Sequence, residues 1–131
     1  MNRQTQASDP FYHTSRWQKL RASVLRRDGY QCQWSKRYSP FAKEATLVHH
    51  IFPRQWWPEY QYESWNLISL SKSAHEQMHS RGTDLLSEKG MDLLIRTARK
   101  RGMDLKKEME KYESKTSASN GMESVHRSRS S

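Results

Sequence analysis

The sequence predicts an α+β chain, a small strand, loop, strand, helix unit flanked by basic amphipathic helices and followed by a disordered C-terminal tail. Three observations carry this expectation. Trp17, Leu20 and Val24 recur at helical spacing; two short β-prone runs, 45–51 and 66–70, flank an aromatic loop; and from Ser114 the chain is Ser-rich with no apolar pattern. The expected organisation is a flexible N-terminus over 1–14, a compact domain over 15–82, a basic helical extension over 83–111 and a disordered tail over 112–131.

Thr14 or Ser15 caps a first helix over 15–27, and Asp28-Gly29 stops it. Arg16, Lys19, Arg21, Arg26 and Arg27 cover its outer faces, which makes it amphipathic and basic. Residues 30–45, polar and interrupted by Pro40, read as an irregular segment or loose hairpin. The first strand lies in Ala45-Thr46-Leu47-Val48-His49-His50-Ile51 and is closed by Pro53, which cannot extend a central strand. After the aromatic loop, Asn66-Leu67-Ile68-Ser69-Leu70 supplies the second strand. Ser71 or Ser73 then caps a helix running through Ala74, His75 and Met78 to about Ser80. Beyond Gly82, Leu85, Leu86, Met91, Leu94, Ile95 and Ala98 predict a further amphipathic helix, extended through Met103, Leu105 and Met109.

The composition narrows the function classes. With 23 Lys and Arg against 14 Asp and Glu, the net charge of +9 suits a protein that binds a phosphate backbone by displacing counterions, although a solubilising surface explains charge alone equally well. Cys32 is the single cysteine, so there is no disulfide framework, no Cys-based zinc cage and no sign of an oxidising compartment. The N-terminus has no apolar h-region, and no run approaches the ~18 apolar residues of a membrane span. A soluble cytoplasmic protein without a membrane partner is expected. A core this small calls for a staple, and a bound metal is the physically available one.

Four of the six histidines fall in two groups, His49-His50 and His75 with His79. On a helix, residues four apart share a face with Cβ atoms about 5–6 Å apart, so His75 and His79 form half of a metal site. A third imidazole from the preceding strand completes it, and His49 is the natural choice. Adjacent strand residues point to opposite sides, which leaves His50 beside the metal with an imidazole suited to act as general base toward water. The ligand set suits one divalent ion among Mg²⁺, Mn²⁺, Ni²⁺ and Zn²⁺, with His49 tilting it toward the softer ions. No organic cofactor is called for.

The run Val48-His49-His50-Ile51-Phe52-Pro53, followed by Asn66-Leu67-Ile68-Ser69-Leu70-Ser71-Lys72-Ser73-Ala74-His75, resembles the HNH nuclease family in order and spacing, and the additional His79 looks like the His-rich variant of colicin-type DNases. The basic segment from Trp17 to Cys32 extends the resemblance over residues 15–82. It implies a ββα-metal fold and a metal-dependent endonuclease acting on double-stranded DNA. It also implies that His50 is the general base, Asn66 pins the loop that bears it, and His49, His75 and His79 are ligands. Arg54 would contact phosphate, and Arg16, Lys19, Arg26 and Arg27 would hold the DNA backbone. Many relatives carry two Cys pairs around a structural zinc; here the corresponding positions read Cys32-Gln33-Trp34-Ser35 and Ser71-Lys72-Ser73-Ala74, so no zinc ribbon is expected and packing by Trp17, Trp34, Trp56, Trp57 or Trp65 must replace it. The small architecture fits a phage or mobile-element nuclease in a host cytoplasm, with restriction and packaging roles equally compatible and no oligomeric state assigned.

Two rivals belong to other classes. His75-Glu76-Gln77-Met78-His79 spells the H-E-x-x-H of zinc metalloproteases, with Gly82 at the next metzincin position, but the third ligand expected at 85 is Leu85. A non-catalytic metal-stabilised DNA-binding module would instead have lost the base or a ligand.

Overall fold

A computed structural model describes residues 9–120, which divide into two compact units after Leu94. In the first unit Thr14 caps α1 (Ser15–Arg27) by accepting from the Trp17 amide at 3.2 Å. The apolar stripe of α1 buries Trp17, Val24 and Leu25 against Ala45, Val48 and Leu67, with Phe11, Tyr12 and Leu20 packed at the edge. Each large side chain removed from water in this way contributes roughly 1.5–3 kcal/mol.

Residues 30–45, expected as an irregular segment or loose hairpin, close like a hairpin but carry a helix that was not expected. Gln31 and Glu44 pair as an isolated antiparallel bridge, and the excursion between them forms a short helix, α2 (Gln33–Tyr38), capped by the Cys32 thiol. Strands β1 (Leu47–His50) and β2 (Leu67–Leu70) pair antiparallel, with Leu47 opposite Leu70 and His50 opposite Leu67. The C-terminus of α1 is tied to this sheet through Asp28, whose Oδ2 accepts from the Ser69 amide at 3.1 Å.

Ser71 caps α3 (Lys72–Glu76) through the Ala74 amide. This helix is shorter than the expected run to Ser80. The chain tightens where Met78 N bonds His75 O, then reverses so that Ser80 N donates to Leu85 O at 2.8 Å and Ser87 N to Met78 O at 2.9 Å. His79 therefore stands in an antiparallel bridge with Leu86, not on a helix. The bridge satisfies backbone groups that further helical turns would have used, and it buries Met78 and Leu86. The next element, α4 (Glu88–Lys100), comes so close that a Cβ on Gly90 would collide with the Met78 carbonyl oxygen.

The single long helix expected through Met109 is two helices, parted after Lys100 within the second unit. Gly102, at φ +67°, takes a conformation that costs other L-residues, and Asp104 recaps the chain through the Lys107 amide at 3.2 Å. From there α5 (Leu105–Asn120) continues into the expected tail. Leu105, Met109 and Tyr112 share a stripe at helical spacing, and Tyr112 is buried, which accounts for order beyond 112. Residues 121–131 of that tail, and 1–8 of the expected flexible N-terminus, lie outside the described residues. Residues 10–13 form a 3-10 turn where flexibility was expected. Among the described residues no helix is long and apolar enough to cross a membrane.

Candidate functional site

Period-two alternation along β1 sends Val48 and His50 to one side and His49 to the other. The His49 ring centroid lies 5.3 Å from that of His75 and 5.6 Å from that of His79, and His75 and His79 are 5.7 Å apart. One nitrogen from each of the three lies within 4.8 Å of the others. The three come from three different local structures: a strand, a one-turn helix and a bridge.

His49 is 2% exposed and its Nε2 is buried without a hydrogen-bond partner. A buried polar atom left in this state costs about 1–3 kcal/mol, and a cation held among the three nitrogens removes the cost. Burial first, then the neighbouring imidazoles of His75, His79 and His50, hold the His49 pKa well below its usual value. The neutral ring that results is the form that ligates metals. Across the cluster, His79 Nδ1 lies 3.2 Å from the Asp84 carbonyl oxygen. A carbonyl only accepts, so Nδ1 carries the proton and Nε2 presents its lone pair. The donor set therefore fits a first-row divalent ion.

His50 is built differently. Its ring stacks on Trp17 at 5.1 Å and 23°, and its Nε2 donates to the Gln61 carbonyl at 3.0 Å, which leaves Nδ1 as the basic atom. Burial lowers its pKa to about 4, with the Gln61 hydrogen bond opposing and the Arg54 charge assisting.

Asn66 is fully buried and closes the loop between the strands. Its Oδ1 accepts from the Phe52 amide at 2.7 Å, and its Nδ2 donates to the carbonyls of Phe52 at 3.1 Å and Tyr60 at 3.2 Å. The strand's end and the loop that holds His50 are thereby tied to one side chain.

The basic residues divide. Arg54 donates to Gln61 Oε1 at 3.3 Å and to Asp9 Oδ2 at 3.1 Å, and it lies 3.9 Å over the Phe11 ring. Arg16 lies 3.6 Å over the Tyr62 ring. Lys19 and Arg26 are exposed on α1. Arg27 is exposed as well, and it bonds the Asp28 carboxylate and the carbonyls of Ser64 at 2.9 Å and Leu67 at 2.8 Å. Cys32 is buried, with its thiol accepting from the Ser35 amide at 3.5 Å. Of the tryptophans, Trp17, Trp56 and Trp57 are buried, while Trp34 and Trp65 are half-buried.

For the protease arrangement, both histidines of H-E-x-x-H should lie on one helix with the glutamate facing the metal. Here α3 ends at Glu76, which is exposed, and the third imidazole comes from β1. Asp9, Phe11, Tyr12 and Gln61 also surround His50 or Arg54 without having been expected there. Asp9-Pro10, a capping residue followed by proline, was the one local sign of order near the N-terminus.

No family model matches the chain, and no curated protein matches it. Among solved structures, the chain is similar to the HNH endonuclease of the deep-sea thermophilic bacteriophage GVE2, determined with a manganese ion. The two are 31% identical with a TM-score of 0.50, and the match covers 54% of this chain and 76% of that one.

Proposed function

Because the chain belongs to the HNH endonuclease family, we propose that it hydrolyses phosphodiester bonds in double-stranded DNA, with His50 as general base and His49, His75 and His79 holding one divalent ion. The observation that carries this reading is the split along β1: His49 joins a cluster of three imidazole nitrogens while His50, next in sequence, is locked by Gln61 with Nδ1 as its basic atom. A divalent ion bound there would supply Lewis-acid stabilisation of charge on the scissile phosphate and the leaving 3′ oxygen.

The chain's own residues do the rest. His50 Nδ1 takes a proton from the attacking water, and its depressed pKa keeps that nitrogen unprotonated at neutral pH. Asn66 holds the loop that carries Gln61, so it positions the base without touching substrate. Arg54, Arg16, Lys19 and Arg26 supply positive charge to the DNA backbone, independent of base sequence. The products carry 5′-phosphate and 3′-hydroxyl ends. The His-rich ligand set is of the kind likened above to colicin-type DNases, and a phage-encoded protein acting in a host cytoplasm is the setting this reading favours.

Plasmid cleavage measured across Mg²⁺, Mn²⁺, Ni²⁺ and Zn²⁺ with wild type and His50→Ala tests the reading. His50→Ala should lose nicking while keeping metal and DNA binding. Unchanged nicking in that variant would remove His50 as the base.

A further inference from the structure

The residues ahead of α1 form a strap tied down at three points. Asp9 caps the 3-10 turn, its Oδ1 accepting from the Phe11 amide at 3.0 Å, and its Oδ2 accepts from Arg54 Nη1 at 3.1 Å. Gln18, on the first turns of α1, donates to the Tyr12 carbonyl at 2.6 Å. Thr14 donates to the Phe11 carbonyl at 3.0 Å while capping α1. Phe11 is thereby fixed at both its amide and its carbonyl.

The Phe11 ring is the centre of the cluster this creates. It lies 5.9 Å from the His50 ring, 5.4 Å from Trp17 and 5.4 Å from Tyr62, and the Arg54 guanidinium sits 3.9 Å over its face. Tyr12 closes a further side, 6.2 Å from His50 and 5.5 Å from Arg54. His50 and Arg54 are thus joined twice. Gln61 joins them by polar bonds, its carbonyl to His50 and its Oε1 to Arg54. Phe11 joins them by ring contact.

One hydrogen bond at Nε2 leaves an imidazole free to swing about that bond, so the orientation of Nδ1 depends on the walls around the ring. Trp17 supplies one wall from inside the core. The others come from the strap. Arg54 has the same dependence, since a guanidinium on a flexible stem is oriented only by what it stacks on and bonds.

We infer that the strap Asp9–His13 is a positioning element of the hydrolytic site, with Phe11 at its centre, holding the His50 imidazole and the Arg54 guanidinium in one fixed mutual orientation. The inference rests on the reading of His50 as the base. Phe11 touches no reacting atom in this role. It acts on catalysis by fixing the direction of Nδ1 and of the guanidinium, and misplacement on the order of 1 Å costs about a hundredfold in rate.

The test compares wild type, Phe11→Ala, Phe11→Leu, Asp9→Asn and His50→Ala in the full chain, measuring kcat and KM for plasmid nicking, Mn²⁺ affinity by calorimetry and the thermal midpoint. Phe11→Ala should lower kcat by about tenfold to a hundredfold with KM and Mn²⁺ affinity within about twofold, and Phe11→Leu, which refills the volume, should recover most of the loss. Asp9→Asn keeps the cap acceptor but weakens the tie to Arg54, and should lower kcat by a few fold at nearly unchanged midpoint. A Phe11→Ala protein that nicks at the wild-type rate overturns the inference, and so does one whose Mn²⁺ affinity falls in step with kcat. If Phe11→Ala does not fold, Asp9→Asn decides, and wild-type kcat in that variant overturns the inference. Should His50→Ala nick like wild type, the failure lies instead in the assignment of the base.

Discussion

His50 donates its Nε2 proton to the main-chain carbonyl of Gln61 at 3.0 Å. That bond joins β1 to a loop eleven residues away in sequence, and it selects which nitrogen of a buried ring is basic. Because the loop is closed by Asn66 and the ring is stacked on Trp17, the tautomer is a property of the fold.

The same burial makes stability depend on pH. The folded His50 has a pKa of about 4, below the ordinary ~6.5 of an unfolded histidine. Between these values the unfolded chain binds the extra proton, so stability rises with pH there, is fully present above about 6.5 and is lost as pH falls toward 4. The shift corresponds to about 3 kcal/mol, and His49 adds to it in the same direction. Urea unfolding of metal-free protein at pH 7, 5.5 and 4.5 should show this decline, and His50→Gln should make it shallower, leaving the part that His49 contributes. An equally steep decline in that variant would assign the acid sensitivity elsewhere.

Metal should act as a folding ligand through His49. Its unpartnered Nε2 gains a partner when an ion binds, and a ligand present at 100 times its Kd adds about 2.7 kcal/mol. Titrating Mn²⁺ should therefore raise the thermal midpoint in a concentration-dependent way, and EDTA should reverse it. In His49→Ala the rise should be abolished; a full rise in that variant would place the ion elsewhere.

Asn66→Ala should be among the most destabilising single changes in the first unit. It removes partners from the Phe52 amide and from the carbonyls of Phe52 and Tyr60, each costing about 1–3 kcal/mol where water cannot replace the bond. Chemical denaturation should show a loss of several kcal/mol. A loss under about 1 kcal/mol would mean that the loop closes without this side chain.

Arg27 and Lys19 should part company although both lie on α1. Arg27→Gln loses bonds to Ser64 and Leu67 and should lower the thermal midpoint. Lys19→Gln should leave the midpoint alone and reduce the slope of log Kd against log salt for duplex DNA by about 1. The two variants compared by calorimetry and fluorescence titration settle the division, and a midpoint change in Lys19→Gln would contradict it.

The sequence alone determined what depends on near neighbours. Period-two alternation is local, so His49 and His50 part to opposite sides of β1 whatever surrounds them, and Thr14, Ser71 and the Asp28-Gly29 stop bound their helices through bonds spanning a few residues. The pairing of two short strands around an aromatic loop, and a lone Cys32 with no partner cysteine, were equally legible. Tertiary structure decided the rest. His79 joins the cluster from a bridge to Leu86, because pairing with the returning chain satisfied its backbone better than another turn of helix. Helical spacing placed it near His75 for a reason the fold does not use. Arg27 became a strap to β2, and the segment at Asp9 closed over His50 because Arg54, distant in sequence, offered it a charge partner. Contacts at such separations depend on where the whole chain brings its parts together, and a residue's neighbours in sequence carry no record of that.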